Sequence, residues 1–456
     1  MKYIGYKTLI RGQNQCQELF IENVAISKIA ENVGTPFYCY SKKSLRENFE
    51  SFSASFAKNA ISDYKICYAI KANFNIHLVK ILSDLGAGID AVSQGEIFRA
   101  IKARVDPKKI VFAGVGKTKK EMRYALEIGV EEFSVESESE MFLLNEVATE
   151  IGKKAKFSLR VNPNVDAKTH DKISTGRRGD KFGVDIERAE EIYAKAAKLP
   201  AIEIYGISTH IGSQITSIDP FKSAFQKLRD LCISLRLQGH KISSLDFGGG
   251  IGIAYKNENT LLIDDYVRLI KEVTKDLGVK ITIAPGRAMI GNAGLLATEV
   301  ILLKEIVGKN FHKNFVIIDA AMNDLMRPGL YGSYHEILPV VKKNGIKFIY
   351  DIVGPVCEST DVLAQNRELI DPKYGDILVF CSAGAYGSSM SNEYNCRPMI
   401  PEVLIDDDMF EVIRHRPTFD EMMALEMPRE WVNSISQRNQ IHRFSFIKNL
   451  KRSSKI

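Results

Sequence analysis

The chain has 456 residues, of which 45% are hydrophobic and 26% charged. Those proportions exclude collagen-like, disordered and disulfide-scaffold proteins and allow two or three globular domains. Sixty-two basic against 56 acidic residues leave a net charge of +6. Residues 438–456 alone hold six basic and no acidic side chains, so the remainder is neutral. A neutral body offers no basic face for nucleic acid. The tail reads as a solvated, poorly ordered end.

The opening MKYIGYKTLI lacks the apolar core of a signal peptide, and no run approaches the length of a membrane span, so a cytoplasmic protein with no membrane partner is expected. The seven cysteines (Cys16, Cys39, Cys67, Cys232, Cys357, Cys381, Cys396) form no CxxC pair. Their odd number and scattered spacing point to reduced thiols and to no metal site.

In chain order, β-leaning pieces (YIGYKTLI, ELFIENVAI) occupy the first 35 residues. Short apolar runs then recur between amphipathic stretches: Lys65–Ile70, Gly88–Val92, Lys109–Ala113, Glu132–Val135, Phe157–Val161, Glu203–Thr209, Ser244–Phe247 and Lys280–Ile283. The segment HLVKILSDLG between the first two has apolar residues at helical spacing and a glycine stop. Eight strand–helix alternations match a (β/α)8 TIM-type barrel better than an open α/β sheet, which survives only if the second and fourth runs are loops. After Gly294 the rhythm changes. ATEVILLKEIV, NFVIIDAAM, IKFIYDIVGP and DILVFCSAG read as strands without long helices between them. The reading is an α/β barrel over 36–284 and a discontinuous all-β domain made of 1–35 and 285–437.

Functional groups of such barrels follow the strands, at their carboxyl-terminal ends. Lys71 follows the first, in YAIKAN. Such a lysine is usually a solvated rim residue, but partial desolvation lowers an amine's pKa and suits it to Schiff-base chemistry. His210 ends the sixth, in THIGSQ; it is a structural histidine or a flat ring that stacks on a cofactor. The seventh is followed by Gly248-Gly249-Gly250-Ile251-Gly252 and the eighth by Ala284-Pro285-Gly286-Arg287. Glycine-exposed N–H groups cradle phosphate, and an arginine adds a charged fork. The glycine run lacks the lysine and hydroxyl residue of a P-loop, so a nucleoside triphosphate is not expected. An amine, a phosphate cradle and a stacking ring together point to pyridoxal 5'-phosphate.

The strings YAIKAN, THIGSQ, LDFGGGIGIAY, PGR, DAAMNDLMRPGLY, GPVCESTD and SAGAYGSSMSNEYNCRP, in this order, resemble those of the diaminopimelate decarboxylases. These are pyridoxal-phosphate enzymes on an alanine-racemase-like barrel. The match runs from about residue 5 to about residue 432. The resemblance implies that Lys71 carries the cofactor and His210 stacks on its ring. It implies that Ser213, Gly249, Gly250 and the turn of Ala284, Pro285, Gly286 and Arg287 hold its phosphate. Arg287, Arg327 and Tyr331 would bind the carboxylate at the uncleaved end of the substrate, and Glu358 the ammonium there. Cys357 would donate the proton that replaces carbon dioxide, and Tyr386 would reach both cofactor and substrate. The implied protein is a homodimer with shared active sites, converting meso-2,6-diaminopimelate to L-lysine in lysine biosynthesis.

One position departs from the family. Glutamate usually precedes PGR, its carboxylate facing the pyridine nitrogen; here the residue is Ala284. Either another group or a water compensates, or the chain is a weakly active or silent cofactor-binding homologue. An ornithine- or arginine-type decarboxylase is the other enzyme reading. The paired clamp in MNDLMRPGLY and CESTD favours a substrate with an amino-acid group at each end.

Overall fold

The computed structural model describes residues 1–11, 14–167, 173, 175–424 and 426. The basic tail from Arg438 lies outside the described residues. Strands β1 (Ile4–Arg11), β2 (Asn14–Ile21) and β3 (Val24–Ala25) form a small antiparallel sheet, and β4 (Phe37–Ser41) follows.

Strands β5 (Tyr64–Ala69), β6 (Gly88–Ala91), β7 (Ile110–Phe112), β8 (Glu132–Val135) and β9 (Ala155–Asn162) come next, then the two-residue β10 (Val184–Asp185). The series ends with β11 (Ile202–Ser208), β12 (Ser244–Asp246) and β13 (Lys280–Ile283). Each pairs in parallel with its neighbour, except that β10 sits outside on β9. Pairing of β8 with β9 and of β13 with β5 closes eight strands into a barrel. Gly88–Val92 and Glu132–Val135, the two runs that an open sheet would need as loops, are both barrel strands.

Parallel strands are joined by crossovers, and the sequence supplies a helix start after several of them. Ser93 and Ser137 accept the backbone N–H of Glu96 and Glu140, and Thr118 forms a reciprocal capping box with Glu121. In the helix Asp219–Leu237, Phe221, Ala224, Phe225, Leu228, Leu231, Cys232 and Leu235 recur at helical spacing and are buried. The barrel interior is partly polar. Lys65, Glu132, Ser158, Ser208, Ser244 and Thr282 are all buried or nearly so on its strands.

Beyond the barrel, β14 (Gly294–Gly308) is the spine of a second sheet. Its first half pairs with β4 and its second half with β15 (Phe311–Ile318). Then come β16 (Ile337–Pro339), β17 (Lys347–Val353), β18 (Val362–Ile370), β19 (Ile377–Phe380), β20 (Glu402–Asp406) and β21 (Met409–Arg414). The order β18-β17-β15-β14-β4-β20-β21, with β19 alongside β14 and β16 on β19, makes this a mostly antiparallel domain. Phe37–Ser41, placed with the barrel in the division at residue 36, is a strand of this sheet between β14 and β20. Residues 1–416 form one compact unit; the unit from Pro417 onward contains the short helix Phe419–Met423, capped by Thr418. Among the described residues, no helix is long and apolar enough to cross a membrane.

One buried ion pair braces the loop after β7. Lys117 Nζ donates to Gly114 O at 2.8 Å, Ser134 O at 2.7 Å and Glu140 Oε1 at 2.6 Å. Burial pushes the Glu140 carboxyl up, against the pull of Lys117. Lys117→Met would strand a buried carboxylate and two carbonyls, a loss of about 3–5 kcal/mol. Urea unfolding should show a clearly lower midpoint in K117M, and Lys117→Met with Glu140→Leu should recover much of it.

Candidate active site

The pairing of β13 with β5 sets the site. Ile283 lies opposite Ile66, so the turn after β13 runs beside the end of β5. The Ala69 N–H donates to Pro285 O at 3.3 Å, and the Ala284 N–H donates to Gly248 O at 2.7 Å. The glycine run after β12 and the turn at 284–287 therefore touch backbone to backbone. A Cβ on Gly249 would lie 2.2 Å from the Ala284 carbonyl oxygen. At Gly250, φ is +104° and a Cβ would lie 2.5 Å from Gly212 O. No side chain fits at either position, so the backbone of the glycine run stays open to the cavity.

An inner cavity at this end of the barrel is lined by Lys71, Asp90, Arg160, His210, Ser213, Asp246, Gly248, Gly250, Ala284, Gly286, Arg287 and Tyr386, among others. It opens into an outer one of about 450 Å³, which adds Arg327 and Tyr331. Lys71 Nζ lies 3.5 Å from Asp90 Oδ2. Burial works to depress the amine, but the charge of Asp90, with Tyr386, outweighs it and holds Lys71 above the ordinary lysine value. The lowered amine expected from desolvation alone is thus corrected by a carboxylate on β6. The side chain still opens by 40% into the cavity.

His210 is pushed well below the ordinary histidine value by burial and by the charges of Lys71 and Arg160. Its Nδ1 accepts the Gly249 N–H at 3.2 Å, so the neutral ring carries its proton on Nε2. The imidazole is therefore a flat, uncharged surface at neutral pH.

Two guanidinium groups flank the outer cavity. Arg287 Nη2 donates to Ser213 Oγ at 2.9 Å and Nη1 to Tyr255 Oη at 2.6 Å, and its plane lies 4.9 Å from the Tyr386 ring. Arg327 is buried, 4.7 Å from the Tyr255 ring centre. Its Nη1 meets His335 Nε2 at 3.1 Å. His335 Nδ1 faces the Cys381 carbonyl at 2.9 Å, so Nδ1 donates there and Nε2 accepts from Arg327. Burial and the charge of Arg327 hold His335 down to about 3, a permanently neutral acceptor. Arg327 Nε is buried without a hydrogen-bond partner. An orphaned charged donor of this kind is costly unless an anion meets it.

The structure thus gathers Lys71, His210, Ser213, Gly249, Gly250, Ala284, Pro285, Gly286, Arg287, Arg327, Tyr331 and Tyr386. Tyr386 is set by a left-handed φ of +56° and by its N–H, which donates to Ala72 O at 2.8 Å. Cys357 and Glu358 are not brought into this cavity. They are exposed on the loop between β17 and β18, with the Cys357 N–H 3.4 Å from Asn395 Oδ1. Sequence reasoning missed Asp90, Arg160, Asp246, Tyr255 and His335. The first three stand in the strings GIDAV, FSLRV and LDF, so reading polar residues within strands, and not only after them, finds them. Tyr255 and His335 carry no such signal. Among the described residues, no group of three or more potential metal ligands occurs.

The profile of the pyridoxal-dependent decarboxylase pyridoxal binding domain matches residues 42–291. The diaminopimelate decarboxylase of Aquifex aeolicus is 47% identical over 404 residues, 88% of this chain and 94% of that one. The Pseudomonas aeruginosa enzyme is 45% identical over 90% of this chain and 97% of its own. A crystal structure of the Helicobacter pylori diaminopimelate decarboxylase complexed with L-lysine superimposes with a TM-score of 0.83 at 38% identity, covering 88% and 98% of the two chains. The barrel and the matching profile make the chain a pyridoxal-dependent decarboxylase by class. Within that class, the chain belongs to the diaminopimelate decarboxylase family.

The residues present fit pyridoxal phosphate: an accessible amine, a glycine cradle that no side chain fills, a serine hydroxyl beside it and a neutral ring. Because Asp90 is the charge that holds Lys71 up, Asp90→Asn should drop the lysine below its ordinary value of 10.5. In cofactor-free protein, the pH dependence of Lys71 acylation, followed by peptide mass spectrometry, should shift to lower pH in D90N.

Proposed function

We propose that this chain decarboxylates meso-2,6-diaminopimelate to L-lysine with pyridoxal 5'-phosphate, and that the residues gathered above do so in a homodimer. The observation that carries the reading is the pair Arg287 and Arg327 in a cavity continuous with the Lys71 pocket, one of them with a buried donor left free. A substrate whose far end is a second amino-acid group supplies the carboxylate such a pair needs. Ornithine and arginine have no carboxylate at that end.

Lys71 is the amine that holds the cofactor, His210 lies against its ring, and Ser213, Gly249, Gly250 and the backbone of 284–287 hold its phosphate. When bound, pyridoxal phosphate supplies a conjugated electron sink for the pair left behind by departing carbon dioxide. Arg287, Arg327 and Tyr331 fix the idle carboxylate, and His335 and Tyr255 keep the two guanidiniums in place. The buried, neutral His335 cannot take a proton near neutral pH and so never repels Arg327.

Cys357 as proton donor and Glu358 as partner of the idle ammonium must enter a cavity from a neighbouring copy, since in this chain they face outward. Exposed apolar side chains on the second sheet support such an assembly. The second half of β14, β15 and β17 exposes Leu302, Leu303, Val307, Phe311, Phe348 and Ile349. Large apolar side chains exposed on both sides of adjoining strands mark this part of the sheet as a candidate interaction surface. We assign the described residues of 1–35 and 285–416 to the β domain, with β4 as its strand within the 36–284 segment; residues 427–437 of the expected boundary lie outside the described residues. The described cysteines are all free thiols, which supports a cytoplasmic location.

Incubation with diaminopimelate, ornithine and arginine separately should give carbon dioxide from the first, with lysine as product; no lysine at saturating cofactor would reject the reading. Borohydride reduction and peptide mapping should place the cofactor on Lys71. Arg327→Gln should lower kcat/KM for diaminopimelate by about a hundredfold, the scale of a lost charge-assisted pair. Shared sites predict complementation: Lys71→Ala and Cys357→Ala, each inactive alone, should recover up to about a quarter of the activity after mixing and subunit exchange. No recovery despite proven exchange would place each site within one chain.

A further inference from the structure

A pyridine ring withdraws electrons best when its nitrogen is protonated, and an acidic side chain beside that nitrogen keeps it so. Immediately before the Pro285-Gly286-Arg287 turn this chain has the methyl group of Ala284 and no carboxylate. The acids lining the two cavities are therefore the candidates, and among the described lining residues they are Asp90 and Asp246. Asp90 faces the Lys71 amine at 3.5 Å.

Asp246 is placed differently. It is opposite Thr282 in the β12–β13 pairing. Ala284 follows directly on the end of β13, two residues after Thr282. Asp246 and Ala284 line the same inner cavity. One oxygen, Oδ1, accepts the Gly248 N–H at 2.8 Å. Among the described residues Asp246 makes no ion pair and no second side-chain hydrogen bond, so its other oxygen is available to the cavity. The strand order β12-β13-β5 puts Asp246 two strands from Lys71, with the 284 position between them. In pyridoxal phosphate the ring nitrogen lies across the ring from the carbon that an amine binds, which directs it away from β5.

Resting on the cofactor reading above, we propose that Asp246 is the acidic partner of the cofactor's ring nitrogen in this protein, serving from β12 in place of a carboxylate at 284. The environment supports this role. Burial and the nearby charges of Glu132 and Asp90 push Asp246 up to about 7, while the Gly248 N–H and Lys65 work the other way. A carboxyl whose anion is disfavoured by its surroundings gains from a cation placed against it. The protonated ring nitrogen is that cation, and the pair shares one proton between ring and carboxylate.

The test uses the full chain reconstituted with pyridoxal phosphate isotopically labelled at the ring nitrogen, read by nitrogen NMR and by cofactor affinity. The unaltered protein should show a protonated nitrogen. Asp246→Asn should shift the signal to that of a neutral pyridine and weaken cofactor binding tenfold or more. Adding Ala284→Glu to D246N should restore the protonated signal, whereas A284E alone should change it little. A neutral nitrogen in the unaltered protein, or a protonated one in D246N, overturns the proposal; where D246N does not fold, Asp246→Ser is read in the same way. Failure of the unaltered protein to bind the cofactor at Lys71 would instead overturn the cofactor reading itself, and the borohydride map separates the two.

Discussion

Lys71 and the turn at 284–287 are more than two hundred residues apart in sequence, yet the Ala69 N–H donates to the Pro285 carbonyl. That contact exists because β13 pairs with β5 and closes the barrel. Everything at the site depends on this closure. It sets the glycine run of β12 against the turn after β13 and both against the lysine of β5. An open sheet would leave β5 and β13 without this pairing. The close backbone approach also explains why glycine stands at 249 and 250, where any Cβ would strike a carbonyl oxygen.

Charge is distributed in tiers along the barrel axis. In the interior, Lys65 sits near Glu132, and the surrounding acids keep its ammonium charged despite burial. At the mouth, Asp90 holds Lys71, and Asp246 lines the same inner cavity. Farther out, Arg287 and Arg327 present positive charge and are held by neutral acceptors, Ser213, Tyr255 and His335. Neutral supports leave the guanidinium charge uncompensated and therefore available to an anion. A carboxylate in the place of His335 would have neutralised the clamp that the substrate reading requires.

The second domain adds what a barrel alone lacks. Its β14 continues from the 284–287 turn, and the loop carrying Tyr386 returns to donate to Ala72 beside Lys71. Arg327 and His335 also come from this domain. The cavity is thus assembled from both domains, and the outward placement of Cys357 and Glu358 leaves it without a proton donor from that loop. The homodimer reading supplies one from the neighbouring copy.

Short apolar runs between amphipathic stretches made the eight barrel strands legible to within a residue or two, and the glycine run, the PGR turn and the lysine after β5 announced a phosphate-and-amine site. These signals are local: a buried strand needs apolar residues in sequence, and a tight approach needs glycine at that residue. The assignment of Phe37–Ser41 was not local. FYCYS reads as a buried strand in either domain, and only its pairing with β14 and β20 decides which. Nor did the sequence show that Asp90 would reverse the effect of burial on Lys71, that His335 would be a neutral acceptor for Arg327, or that Asp246 and Ala284 would line one cavity. The first two arise from distances of 3 to 4 Å between charged or polar groups, and the third from the lining of one cavity; all follow the folded geometry and not the order of the letters.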